Sequence, residues 1–138
     1  MAGYSSTPLA KKLGIKDGHL VALLNAPKGF ERTLDGLADE VTITESLAGR
    51  KPFDVIVLFV DSNAKFEKQF DRARAKLDEA GGLWVAWPKK ASGVKTDLTE
   101  DVIRDFALAT GMVDNKVCAI DDTWSGLRVV VRVKDRKK

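Results

Sequence analysis

Phe53-Asp54-Val55-Ile56-Val57-Leu58-Phe59-Val60 is the stretch that decides the architecture. Seven of its eight residues are apolar, and they do not alternate with polar ones. A half-buried strand alternates, whereas a nearly continuous apolar run of this length fits a strand covered on both faces, the signature of a central parallel strand. Parallel neighbours require crossover connections, so helices are expected on either side of the run.

They are there. Asp61-Ser62-Asn63 closes the strand and caps a long helix, in which Phe66, Phe70, Ala73, Leu77 and Ala80 fall at steps of four and three; Gly81-Gly82 reads as its stop. Leu83-Trp84-Val85-Ala86-Trp87 is the next strand, ended by Pro88, and a helix begins near Thr99 with Glu100 and Asp101 in its first turn. Upstream, Thr7-Pro8 opens a short helix that ends at Gly14, the strand 19–24 follows, residues 30–37 form a short helix, and 41–44 is a brief strand. Strands are expected at 116–120 and 127–133, and the six residues between them are too few for a crossover, so the two pair antiparallel.

The expected fold is α/β: a three-layer αβα sandwich on a mostly parallel open sheet with a C-terminal antiparallel hairpin. At 138 residues the chain is one domain, placed at residues 1–133 and followed by a basic tail at 134–138. The sequence pI of about 9.0 comes from the end of the chain. Residues 128–138 hold six cations and one anion, and since the whole chain carries +3, the rest is slightly acidic. That distribution argues against nucleic acid as a partner. One cysteine suits a reducing compartment, and no run approaches the roughly 20 apolar residues that cross a bilayer, so the expected setting is cytoplasmic with no membrane partner.

Three segments carry a resemblance: Leu9-Ala-Lys-Lys-Leu-Gly-Ile-Lys16, Gly82-Leu-Trp-Val-Ala-Trp-Pro-Lys-Lys90, and Asp114-Asn-Lys-Val-Cys-Ala-Ile-Asp-Asp-Thr-Trp-Ser-Gly-Leu127. Through them the chain resembles the domain of unknown function 3052 family of small bacterial proteins, which implies a fold and no established activity. Residues 50–133 are also similar in element order to the C-terminal half of class I S-adenosylmethionine (SAM)-dependent methyltransferases, which implies a reduced Rossmann-like, methyltransferase-like scaffold.

In open α/β sheets ligands bind at the carboxyl ends of the strands. Three loops meet that condition and place Asn25, Lys28, Asp61, Asn63, Lys89, Lys90 and Ser92 on one rim, with Trp87 as a pocket floor. The lysines suit a small anionic ligand. Trp84 and Trp87 differ by three positions and point to opposite faces. Trp124, in the turn Asp121–Gly126, is a candidate contact for a protein partner.

A dinucleotide or methyltransferase loop needs glycines after the first strand. Here Asn25-Ala-Pro-Lys-Gly29 holds one glycine, and Pro27 removes an N–H donor. Glu45 stands about 20 residues past that loop, where an acid would accept ribose hydroxyls, but a solvated acid is the simpler account. His19, the only histidine, starts a strand at the opposite end from the rim, and Cys118 reads as a small buried hydrophobe. No nucleophile triad, zinc site or phosphate-binding P-loop can be assembled from these residues. The expectation is therefore a non-catalytic ligand-binding or regulatory domain, not an enzyme, without a cofactor. The alternatives are a SAM-dependent methyltransferase-like enzyme and a protein–protein interaction module.

Overall fold

In the computed structural model, which describes residues 7–34, 37 and 39–136, Phe53–Phe59 forms a strand with parallel neighbours on both sides. In chain order the elements are α1 (Leu9–Lys12), β1 (Leu20–Leu24), β2 (Thr42–Thr44), β3 (Phe53–Phe59), α2 (Asn63–Ala75), β4 (Leu77–Pro88), α3 (Glu100–Ala109), β5 (Met112–Ala119) and β6 (Trp124–Val131). The sheet order is β2-β1-β3-β4-β6-β5. The first four strands run parallel, and β6 is antiparallel to both β4 and β5. All of β3 is buried except Asp54. Its carboxylate accepts the Leu20 backbone N–H at 2.8 Å, so the one charge in the apolar run clips the start of β1 to β3.

Both long helices lie on one face. Ser62 Oγ accepts from the Lys65 N–H and Thr99 Oγ1 from the Val102 N–H, each at 3.2 Å, so both helices begin on a hydroxyl cap. Phe66, Phe70 and Ala73 of α2 and Ile103 and Ala107 of α3 pack on Ile56, Leu58, Leu83 and Val85. Phe66, Phe70 and Phe106 meet edge to face at 5.0–5.4 Å. Arg104 binds Glu100, Asp101 and Asp114, joining α3 to β5; hydrogen bonds to Asp114 and Glu100 hold its pKa above the usual arginine range.

The opposite face carries a thinner layer. Ala10, Leu13 and Ile15, with Phe30 of a 3-10 turn at Phe30–Thr33, cover Val21, Leu23, Val55, Val57 and Trp84. Trp84 and Trp87 lie in opposite cores, as strand alternation requires.

Several boundaries differ from the sequence-based ones. The helix after β3 ends at Ala75, and Leu77 already pairs with Phe53 inside β4. Leu77 continues the helical spacing because it fills the same core from the strand. Gly81-Gly82 is not a helix stop: both residues lie within β4, beside a register shift between Phe53 and Val55. The helix expected at 30–37 is one 3-10 turn, and residues 35 and 36 lie outside those described. α1 begins at Leu9, with Pro8 rather than Thr7 in the capping position. β5 and β6 start earlier than expected, so Trp124 opens a strand. Residues 133–135 form a 3-10 turn closed by Arg132 and Asp135, 2.9 Å apart; 137 and 138 of the expected tail lie outside the described residues. Among the described residues, no helix is long and apolar enough to cross a membrane.

Candidate functional site

The carboxyl ends of β1, β2 and β3 surround a crevice, and the loop after β1 shapes it. The chain turns sharply at Asn25, whose φ of 60° lies in the left-handed region that Asn tolerates better than most residues. Asn25 Nδ2 donates to the Phe59 carbonyl at 3.2 Å and to Gln69 Oε1 at 2.7 Å, tying the end of β1 to β3 and α2. The loop then closes on itself: the Phe30 N–H donates to the Pro27 carbonyl and the Arg32 N–H to the Gly29 carbonyl. Gly29 has φ 79°, a conformation glycine adopts without strain.

Three neighbouring cavities open here. One of about 310 Å³ lies between the 26–32 loop and Glu45, the residue after β2. A second, about 220 Å³, also touches Glu45 and is bounded by Asn25, Gln69 and Arg72. The largest, about 780 Å³, has Phe59 and Trp124 on one side and the polar stripe of α2 on the other. Pro27 lines the largest and the first, Glu45 the first and the second, and Asn25, Gln69 and Arg72 the largest and the second, so the three lie side by side along one trough. Phe59, in the wall of the largest cavity, meets Phe30 edge to face at 4.9 Å and Trp124 at 5.1 Å.

Of the residues placed on the rim from sequence, Asn25 and Asp61 line the largest cavity and Lys28 lines the one beside Glu45; Trp124, the candidate partner contact, also lines the largest cavity. Asp61 is paired with Lys65 at 3.0 Å. Trp124 is half-buried, its backbone N–H held by Asp121 Oδ1 at 2.8 Å. The rest are elsewhere. Asn63 serves the start of α2: its backbone N–H donates to Asp97 and its Nδ2 to Glu67. Trp87 is in the core under α2 and α3. Lys89, Lys90 and Ser92 make a separate 3-10 turn, closed by Ser92 Oγ donating to the Lys89 carbonyl at 2.6 Å, and do not line the trough.

Lys65, Lys68, Gln69 and Arg72 line the trough although the sequence reading passed over them. Their spacing of three, one and three puts them on one helical stripe, which in sequence looks like any solvated face.

Cys118 and His19 are not brought together: Cys118 is near the carboxyl end of β5, and His19 precedes β1 at the other end of the sheet. Burial pushes the Cys118 thiol above its ordinary pKa, with Lys12 and Lys116 opposing the shift in part. Since the thiolate is the reactive form, iodoacetamide is expected to alkylate the folded protein several-fold more slowly than the urea-unfolded chain at neutral pH. Mass spectrometry over time measures this, and equal rates would refute the assignment.

No family model matches the chain, and comparison with curated proteins gives no match. Solved structures do match. The complex of DhpI with SAH superposes with a TM-score of 0.59 at 13% identity, covering 88% of this chain and 79% of that one. Magnesium protoporphyrin IX methyltransferase from Synechocystis with bound SAM gives 0.58 at 10% identity, covering 84% and 71%. The fibrillarin pre-rRNA processing protein of Methanococcus jannaschii gives 0.59 at 12% identity, covering 94% and 70%. The likeness thus reaches well beyond residues 50–133. It also corrects the functional expectation: structures of this shape include methyltransferases and hold SAM or SAH, which counts against a non-catalytic, non-enzymatic domain and favours the methyltransferase-like alternative. The chain has a six-stranded α/β fold that resembles the Rossmann-like methyltransferase fold.

Proposed function

We propose that the chain is a compact SAM-dependent methyltransferase-like enzyme that holds its cofactor where the 25–29 loop faces Glu45. One observation carries this reading: the acid that follows β2 and the loop that follows β1 line the same cavity. A ribose presents two hydroxyl donors, and a carboxylate that emerges beside the first loop is the acceptor such a ligand needs.

The residues present fit that group. Glu45 is exposed to the cavity, and nothing lies within 4 Å of where a Gly29 Cβ would stand, so a ligand can approach the backbone there. Leu23, Ala26 and Phe30 give the same cavity an apolar side suited to an adenine. Pro27 makes this loop poorer in N–H donors than a glycine-rich one, which shifts weight onto Glu45.

When bound, SAM supplies a methyl group on a positively charged sulfur. Glu45 holds the ribose, and Asn25 and Gln69 fix the wall between the two ends of the trough. Asp61, the only carboxylate among the described residues that line the largest cavity, takes the proton that the methyl acceptor loses. Phe59 and Trp124 keep water from that side. Segments 9–16, 82–90 and 114–127 support membership of the domain of unknown function 3052 family, and a single cysteine accords with the cytoplasm.

Calorimetric titration with SAM and with its demethylated product tests the reading. Both are expected to bind, and Glu45→Ala is expected to weaken them about tenfold or more, the equivalent of about 1.4 kcal/mol. No heat with either ligand at millimolar concentration would overturn it.

A further inference from the structure

The two long walls of the largest cavity differ in chemistry. One is apolar: half-buried Trp124 meets the edge of buried Phe59 at 87° between ring planes, and Pro27 lines the same cavity. The other is cationic, with Lys65, Lys68 and Arg72 on successive turns of one α2 stripe. Lys65 is paired with Asp61; Lys68 and Arg72 have no carboxylate partner among the described residues. Three cations against one acid leave the cavity positive in a chain whose first 127 residues are net acidic.

A stripe of lysines alone would be a solvated helix face. Set opposite half-buried Trp124 and buried Phe59 across about 780 Å³, it becomes one half of an amphipathic site. That volume lies within the range of small-molecule pockets, about 300–1,000 Å³. A polyanion such as a nucleic acid calls for a broader basic surface than three side chains.

We infer that this cavity receives the methyl acceptor, and that the acceptor is a small organic anion with a planar, apolar body. The body lies against Phe59 and Trp124, and the anionic group meets Lys68 and Arg72. The acceptor role rests on the reading of the neighbouring cavity as the SAM site; the ligand class rests on this cavity alone.

Calorimetric titration of 2-naphthoate and its neutral isostere 2-naphthamide into the full chain at low salt tests the ligand class. The acid is expected to bind about tenfold tighter than the amide, with a preference that shrinks as salt is added and is lost in the Lys68→Gln, Arg72→Gln double variant. Trp84 and Trp87 are buried whereas Trp124 lines the cavity, so binding should change tryptophan fluorescence, and Trp124→Phe should remove the change while binding heat persists. Equal affinity for acid and amide, no binding of either, or an unaltered preference in the double variant would each overturn the inference. A parallel SAM titration separates the two readings. SAM binding without naphthoate binding defeats the acceptor class and leaves the cofactor site standing. Naphthoate binding without SAM binding defeats the cofactor site, and the acceptor role with it, while the anion class holds.

Discussion

Trp84→Ala is expected to lower stability by about 3–5 kcal/mol, the range for removing a large aromatic from a packed core. Trp84 is fully buried in the middle of β4, opposite Val57 on one side and Arg128 on the other. Its indole N–H donates to the Leu13 carbonyl at 3.0 Å, bridging 71 positions of sequence. The substitution opens a cavity under the thinner helical layer and leaves the carbonyl at the end of α1 unpaired. For a chain of this size the melting temperature should fall by roughly 10 °C or more. Trp84→Phe keeps a six-membered ring in the core and loses the N–H together with the pyrrole part of the indole, so it is expected to cost less than the alanine variant, about 1–3 kcal/mol. Urea unfolding followed by circular dichroism measures both. A loss below about 1 kcal/mol for the alanine variant would mean that α1 is not docked on the sheet.

Gly81→Ala is expected to cost about 2–3 kcal/mol, the upper part of the range for overpacking. A Cβ at Gly81 would stand 2.7 Å from the Asp54 carbonyl oxygen and 3.1 Å from that of Asp78. Both are backbone atoms, and Asp54 also holds the register of β1 against β3, so neither yields cheaply. Gly82 is the instructive neighbour. A Cβ there would come closer still, 2.3 Å from Arg128 Nε, yet that obstacle is the end of a flexible side chain. The Arg128 guanidinium is partly desolvated, and burial, helped by the nearby charge of Arg136, pulls its pKa below the ordinary arginine value. Moving it outward regains water, so Gly82→Ala should cost under about 1 kcal/mol. The distances alone would rank the two substitutions the other way; equilibrium unfolding of the pair decides which account holds.

Those glycines also mark where a linear reading of the sequence stops. The buried character of β3, the hydroxyl caps of α2 and α3, and the antiparallel closing pair were all legible, because each depends on a short local pattern. The start of β4 was not. Leu77 sits at helical spacing from Ala73, and nothing local reveals that the chain has left the helix and pairs with Phe53. The site divides in the same way. Asn25, Lys28 and Asp61 follow directly from strand ends. Lys65, Lys68 and Arg72 depend on how α2 lies across those ends, which is a tertiary fact. Lys89, Lys90 and Ser92 also follow a strand end, but the chain turns there into a tight 3-10 turn and leads away from the trough. Glu45 was visible as an acid about 20 residues past the first loop, and the parallel pairing of β2 with β1 puts it on the cavity that this loop lines.

The strand order bears on how the molecule is completed. Among the described residues β6 follows every other strand in sequence, yet it lies between β4 and β5 and is the only partner β5 has in the sheet. Until the ribosome has released Trp124–Val131, the long inner edge of β4 has no covering strand and β5 has nothing to pair with. Nascent or nicked chains ending before residue 124 would display two open edges at once, a template for aggregation. β6 is thus the keystone of this side of the sheet, since one strand closes the edge of β4 and holds β5 in place.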